Sequence, residues 1–426
     1  MSTQLISPTR LRRFDIRCNV GDVALANVAI HFVFFFDRRL DSRALADSFA
    51  RALGKLPIFA GRIVPTGGAL RIRCGATSEV PFACVSSDRT RDEAIRSISE
   101  DRGGWLIDPV NGPVARWGFG PLCRIRVTHL ADGATAIGVS FHHAIGDIQT
   151  AMYLMNAWTA AAAGTALPEP LIVEDRAAYL DEHLPPEGGS EPGVRCLGLA
   201  ETARSLLCVA RDGPRLRTWS LYFGEDEILR MRNVFGSDTV RLSANDVVCA
   251  QVSEALMTAN PHIDRRSFAL AVNMRTRCGL DPMLVGNLVT ALNIDLRRGQ
   301  SAESIAERIR HKLDRFVAEH SDMRINQQFL DEAGSFRGMR CVAKGFDPVR
   351  WNPVFSNWSG IGAYRISFEG AYASYFTPVM RVPYAGFGIL SDAADGRGVV
   401  FQMTLPPNDF AVMSSAAVLE RLHRFR

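Results

Sequence analysis

Residues 142–147 read His142-His143-Ala144-Ile145-Gly146-Asp147. Two adjacent imidazoles with a carboxylate four residues after the second are groups that move protons near neutral pH. A lone buried histidine at a strand end is more often a hydrogen-bonded core residue. The doublet with its acid directs attention to acid–base chemistry at one of the two rings. Ile137, Val139 and Phe141 alternate ahead of it, so the spacing predicts a strand that carries His143 on their side and His142 with Gly138 and Ser140. The two histidines then face opposite ways, so only one of them needs to be chemical and the other can be packed or hydrogen-bonded.

The elements that must hold this segment belong to a chain of 426 residues with 49 Lys+Arg against 45 Asp+Glu, a net charge of +4. The length allows two or three domains. So balanced a charge, with only Arg10, Arg12 and Arg13 clustered, argues against nucleic-acid binding. The most apolar run, Val23 to Phe36, is interrupted by Asn27 and His31 and falls short of the roughly 20 residues of a membrane span. It reads as core strands. No apolar run follows a basic head near Met1, which predicts a cytoplasmic protein. Nine cysteines without a CxxC pair support neither a disulfide framework nor a metal site, and Cys123, Cys249 and Cys278 read as core residues.

Strand patterns fall at Ala29 to Phe36, Leu70 to Cys74, Cys123 to Thr128, Phe268 to Arg277, Leu288 to Asp295 and Val399 to Leu405. Helical spacing falls at Leu40 to Leu53, Ile148 to Trp158, Leu221 to Phe235, Asn245 to Ala259 and Ala302 to Ala318. From Leu167 to Pro214, Pro168, Pro170, Pro185, Pro186 and Pro192 accompany Gly188, Gly189 and Gly193, a composition that resists regular structure. The pattern predicts a mixed α/β chain in two halves, residues 1–185 and 215–426, joined by a linker over 186–214. Ser243 is placed to cap the helix beginning at Ala244, with Asp246 completing a capping-box variant. Because helix N-termini attract phosphate, Arg241 and Ser243 are candidates for contacting a phosphate-bearing substrate; a capped surface helix reads equally well.

His142 to Asp147 matches the HHxxxD pattern of CoA-dependent acyltransferases and condensation domains, and the chain most resembles the BAHD acyltransferase family. The resemblance continues in the family's order along nearly the whole chain. Leu40 to Ile63 resembles its early helix and following AGR segment, and Gly120 to Thr128 the strand before HHxxxD. Leu242 to Ala250 resembles a second-half helix start, Val272 to Arg277 with Gly286-Asn287 the RxR…GN segment, and Ser356-Asn357-Trp358 a serine–tryptophan triplet. Two positions depart. Ile148 stands where the family usually has Gly, and around Ser367 to Ala371 only Phe368 and the small residues survive of its DFGWG motif, which suggests a divergent, microbial-type member.

The resemblance implies two chloramphenicol-acetyltransferase-like halves with a channel between them. It also implies an enzyme using acyl-CoA as co-substrate, with no permanently bound cofactor and no metal. His143 would be the general base for a small-molecule acceptor that attacks the thioester directly, with no covalent enzyme intermediate. Ser356 and Trp358 would stabilise the oxyanion, against the plainer reading of a core tryptophan beside a serine. Asp147, placed by its sequence to cap the following helix, would form a structural salt bridge to an arginine of the RxR segment. Arg275 and Arg277 are expected to project to the same side of that segment's strand, so both qualify, and Arg275 is taken first. Arg241 and Ser243 would then face the CoA arm. The expected protein is a monomer acting on a specialised metabolite. A condensation-type enzyme fed by a carrier-protein thioester, and a noncatalytic binding protein on the same fold, are the other readings.

Overall fold

A computed structural model describes every residue except 1, 11, 67–68, 76–77, 167–168, 185–190, 238, 320–322 and 348. Two six-stranded sheets organise it. The first runs Ser2–Ile6, Val80–Ser86, Cys123–His129, Thr135–His142, Ala29–Phe36, Tyr375–Pro378. The second runs Arg217–Gly224, Gly398–Leu405, Phe387–Asp392, Val354–Asn357, Arg265–Asn273, Val289–Arg297. Both are mixed: Val80–Ser86 lies parallel to Cys123–His129, and Val354–Asn357 parallel to both its neighbours, while the remaining pairs are antiparallel.

Burial follows side-chain parity. In Ala29–Phe36 the even residues Phe32, Phe34 and Phe36 enter the main core of the first half, while Val33 and Phe35 pack on the other face against Leu106, Ile107 and Val379. The helix Ser42–Lys55 is capped by Asp41, whose carboxylate accepts the N–H groups of Arg43 and Ala44, and buries Leu45, Phe49 and Leu53. The helix Ile148–Ala163 follows the histidine strand, ends at Gly164 with φ 69°, and seats Trp158 with ring centroids 4.8 Å from Phe49 and 5.0 Å from Phe368.

Several sequence expectations need correction. Val23 to Phe36 is not all strand: Val20–Ala24 is a short helix, because Asn19 and Asp22 form a capping box ahead of it. Leu221 to Phe235 is divided into the strand Arg217–Gly224 and the helix Glu225–Phe235, since Trp219, Leu221 and Phe223 alternate inward against Gly398–Leu405. The crossover is more regular than its composition suggests. Its prolines leave room for the helices Arg176–His183, capped by Asp175, and Leu199–Asp212, while Pro168, Pro185, Pro186, Gly188 and Gly189 lie outside the described residues. Arg275 and Arg277 sit on a helical turn, Met274–Arg277, rather than on a strand.

Chain order also fails to assign every strand. Tyr375–Pro378 pairs with Phe32 to Phe35 of the first sheet although it follows the second half's Val354–Asn357 in sequence. We keep 1–185, 186–214 and 215–426 as a proposed division, with that one strand crossing over.

Candidate active site

The strand bearing the doublet ends at His142, so alternation alone does not place His143. His142 is fully buried, its Nε2 lying 3.1 Å from the carbonyl of Gly112 and its Nδ1 accepting the N–H of Ala144. Burial pushes its pKa down to about 4, which keeps it a neutral packing residue. His143 turns the other way, anchored by its N–H on the carbonyl of Val28, and faces a cavity of about 280 Å³.

Asn287 sets the protonation of His143. The Asn287 side-chain N–H group donates to Asp22 Oδ1 at 3.0 Å and to the carbonyl of His143, both pure acceptors, so the amide oxygen must face the ring. Nδ1 of His143 lies 2.8 Å from that oxygen and therefore carries the proton. Nε2 is left unprotonated. Burial lowers the pKa of His143, partly opposed by the Asp147 charge and the Asn287 hydrogen bond, so the ring is neutral at pH 7. Asp22 is held in turn by Arg176 at 2.9 Å, which also donates to the carbonyls of Ala144 and Ile145.

Asp147 makes both a helix-capping contact and an arginine ion pair. One oxygen caps the helix through Thr150 N–H at 3.0 Å, and the carboxylate takes Arg275 Nη1 at 2.7 Å and Nη2 at 3.2 Å. Burial alone would raise its pKa, but the Arg275 guanidinium and the N–H groups of Thr150 and Leu288 outweigh that and hold it low. The open choice between arginines is thereby resolved: Arg277 donates to the carbonyl of Leu313 instead. Gly286 makes the junction fit. Its φ of 153° favours glycine, a Cβ there would crowd Arg176 Nε at 3.2 Å, and its carbonyl accepts from Arg275 and Thr150.

Ser356 and Trp358 line the same cavity as His143. The indole N–H of Trp358 donates to Ser356 Oγ at 3.1 Å, so the hydroxyl has its own hydrogen to offer into the cavity. Arg241 and Ser243 are not among the cavity-lining residues. Ser243 forms the capping box with Asp246, its N–H donating at 2.8 Å to a carboxylate that Arg310 also holds, and Arg241 is exposed. All nine cysteines are free, and burial pushes the thiol pKa values of Cys123 and Cys249 up, away from nucleophilic use. Among the described residues no cluster of His, Cys, Asp or Glu could hold a metal, and no helix is long and apolar enough to cross a membrane.

Sequence reading passed over Asn287, Asp22 and Arg176 as site residues. Asn287 carried a signal in the Gly286-Asn287 pair. Asp22 and Arg176 had none, because a buried ion pair 154 residues apart in sequence exists only once the chain has folded.

The two mixed sheets make up the two-domain chloramphenicol-acetyltransferase-like fold. Residues 1–194, somewhat under half of the chain, match the family model described as Transferase family. Vinorine synthase of Rauvolfia serpentina is 23% identical over 97% of this chain and 95% of its own length, and its crystal structure superposes with a TM-score of 0.72. Limonoid 1-O-acetyltransferase of Citrus sinensis is 22% identical over 66% of this chain, which spans only 63% of that relative's length. The fold is also shared with F. graminearum TRI101 complexed with coenzyme A and deoxynivalenol, at a TM-score of 0.74, 11% identity and coverage of 96% of this chain and 98% of the other.

Proposed function

We propose that this chain transfers an acyl group from acyl-CoA to a hydroxyl, or an amine, of a small and largely apolar specialised metabolite. The observation that carries the reading is the unprotonated Nε2 of His143 in a cavity it shares with the Ser356 hydroxyl. The walls of that cavity are mainly aliphatic, including Val289, Val354 and Ile389 from the second sheet and Ile30 from the first, which suits an apolar acceptor.

As the acceptor oxygen attacks the thioester carbon, His143 Nε2 takes its proton. The new C–O bond forms and the carbonyl electron pair moves onto oxygen, where the Ser356 O–H, polarised by the Trp358 indole, donates to it. Collapse breaks the C–S bond, and the imidazolium returns the proton to the departing thiolate. Asp147 and Arg275 are too thoroughly paired to join this transfer; they brace the loop that holds His143 and Asn287. The exposed Arg241, ahead of the helix N-terminus at Ser243, supplies positive charge for the phosphates of CoA.

The test is product mass spectrometry after incubation with a panel of acyl-CoAs and apolar alcohols and amines. Transfer from free acyl-CoA that vanishes in His143→Ala supports the reading. Transfer only from an acyl carrier-protein thioester would replace it with a condensation-type activity. Binding without transfer from either donor would leave a noncatalytic binding protein.

A further inference from the structure

A second histidine lines the same cavity. His31 lies on Ala29–Phe36, opposite Ser140 of the histidine strand, and its residue is only 8% exposed. Strand parity sets it apart from the aromatic core: it shares the face of Val33 and Phe35, beside the segment whose Val379 N–H donates to the carbonyl of His31. The alternating positions of this strand are otherwise apolar, so a polar ring here has no packing explanation.

The hydrogen bonds around Ser140 decide which way that ring faces chemically. Ser140 is fully buried, its Oγ accepts the N–H of Val110 at 2.7 Å, and its other neighbour is His31 Nδ1 at 2.8 Å. Among the described residues no other acceptor is available to the hydroxyl hydrogen. Ser140 therefore donates to Nδ1, and the imidazole proton sits on Nε2. That N–H finds no protein partner among the described residues, in a ring that borders the cavity. Burial, with Arg381 and Arg102 nearby, pushes the pKa of His31 down to about 3, so it stays a neutral donor throughout the working range. His31 and His143 are thus opposite tautomers in one cavity, the first offering a proton on Nε2 and the second a lone pair.

We propose that His31, oriented by Ser140, is an oxygen-binding subsite that hydrogen-bonds a carbonyl or ether oxygen of the acyl acceptor and so fixes which hydroxyl reaches His143. Assigning the bound oxygen to the acceptor rests on the acyl-transfer reading; the donor subsite itself does not. A donor in an apolar wall favours a neutral oxygenated molecule over a hydrocarbon, which leaves the N–H unpaired, and over an ammonium, which has no lone pair to offer it.

The test uses the full chain labelled with 15N-histidine. Long-range 15N–1H correlation between pH 5.5 and 8 should show His31 neutral and protonated on Nε2; a proton on Nδ1 would overturn the proposal. Cyclohexanone and cyclohexene, rings with and without a carbonyl oxygen, are then titrated. Cyclohexanone should give a saturable shift of the His31 Nε2 resonance and cyclohexene should not; equal responses, or none, would overturn it. His31→Phe should weaken cyclohexanone binding roughly fivefold, the scale of one neutral hydrogen bond, and His31→Gln should recover part of that loss. Should His31→Phe fail to fold, the tautomer and the two titrations decide on the unaltered protein. A chain that transfers no acyl group yet shows the response loses the proposed function and keeps the subsite. A competent transferase with His31 protonated on Nδ1 does the reverse.

Discussion

Nδ1 of His143 and Oδ1 of Asn287 lie 2.8 Å apart, although 144 residues separate them in sequence and they come from different halves of the chain. Each half alone would leave the base undefined: without Asn287 the imidazole proton could sit on either nitrogen. Asp22, held by Arg176, turns the Asn287 amide so that only one arrangement satisfies every group. His143→Ala is expected to lose about 100-fold or more in turnover, the scale of a general base. Asn287→Ala keeps the imidazole but frees its tautomer, so about tenfold is expected, read as kcat with the melting temperature measured on the same preparation. Turnover unaffected by Asn287→Ala would contradict the tautomer assignment.

Protonation of His143 should set the acid limb of the rate profile. Its pKa is lowered from the ordinary 6.5, so kcat/KM should rise through an apparent pKa below that value and be flat by pH 7. An acid limb centred at or above 6.5 would mean that a different group is titrating.

Folding stability should fall on acidification for a related reason. His142 is held neutral with a pKa of about 4 against 6.5 in the unfolded chain, so between these values the unfolded state binds more protons. Stability is whole above 6.5 and is lost as pH falls towards 4. At pH 5 the loss from this residue is about 2 kcal/mol, measurable by denaturant unfolding at pH 7.5 and 5.0. His142→Gln should remove that share of the dependence and leave the share due to the likewise depressed His31.

The Asp147–Arg275 pair is expected to matter to folding more than to chemistry. Removing either partner strands a buried charge, at a cost of about 3–5 kcal/mol. Asp147→Ala should therefore lower the melting temperature sharply, while the single-turnover rate of the folded fraction stays within a few-fold of the parent. A large rate loss without destabilisation would place Asp147 in the proton transfer.

Because the Trp358 indole donates to Ser356 rather than directly into the cavity, Ser356→Ala should be the more damaging of the two changes. About 100-fold in single-turnover rate is expected for losing the oxyanion donor. Trp358→Phe should cost about tenfold by removing the polarising hydrogen bond. It should also lower stability, since the ring belongs to the core beside Phe376. The opposite order of rate losses would make the indole the direct donor.

The histidine doublet, the capping aspartate and the strand–helix unit that carries them were readable from residues 135–163, because alternation, an N-cap and helical spacing are local properties. Ser243 ahead of Ala244–Ala259 was legible for the same reason. The boundary inside Leu221 to Phe235 was not, since a short apolar run can satisfy a strand or a helix until a partner strand fixes it. Nor could sequence send Tyr375–Pro378 into the first sheet, choose Arg275 over Arg277, or couple Asn287 to His143. Those depend on hydrogen bonds and charges meeting across more than a hundred residues of chain, where burial makes each unpaired group costly and leaves few arrangements that satisfy them all.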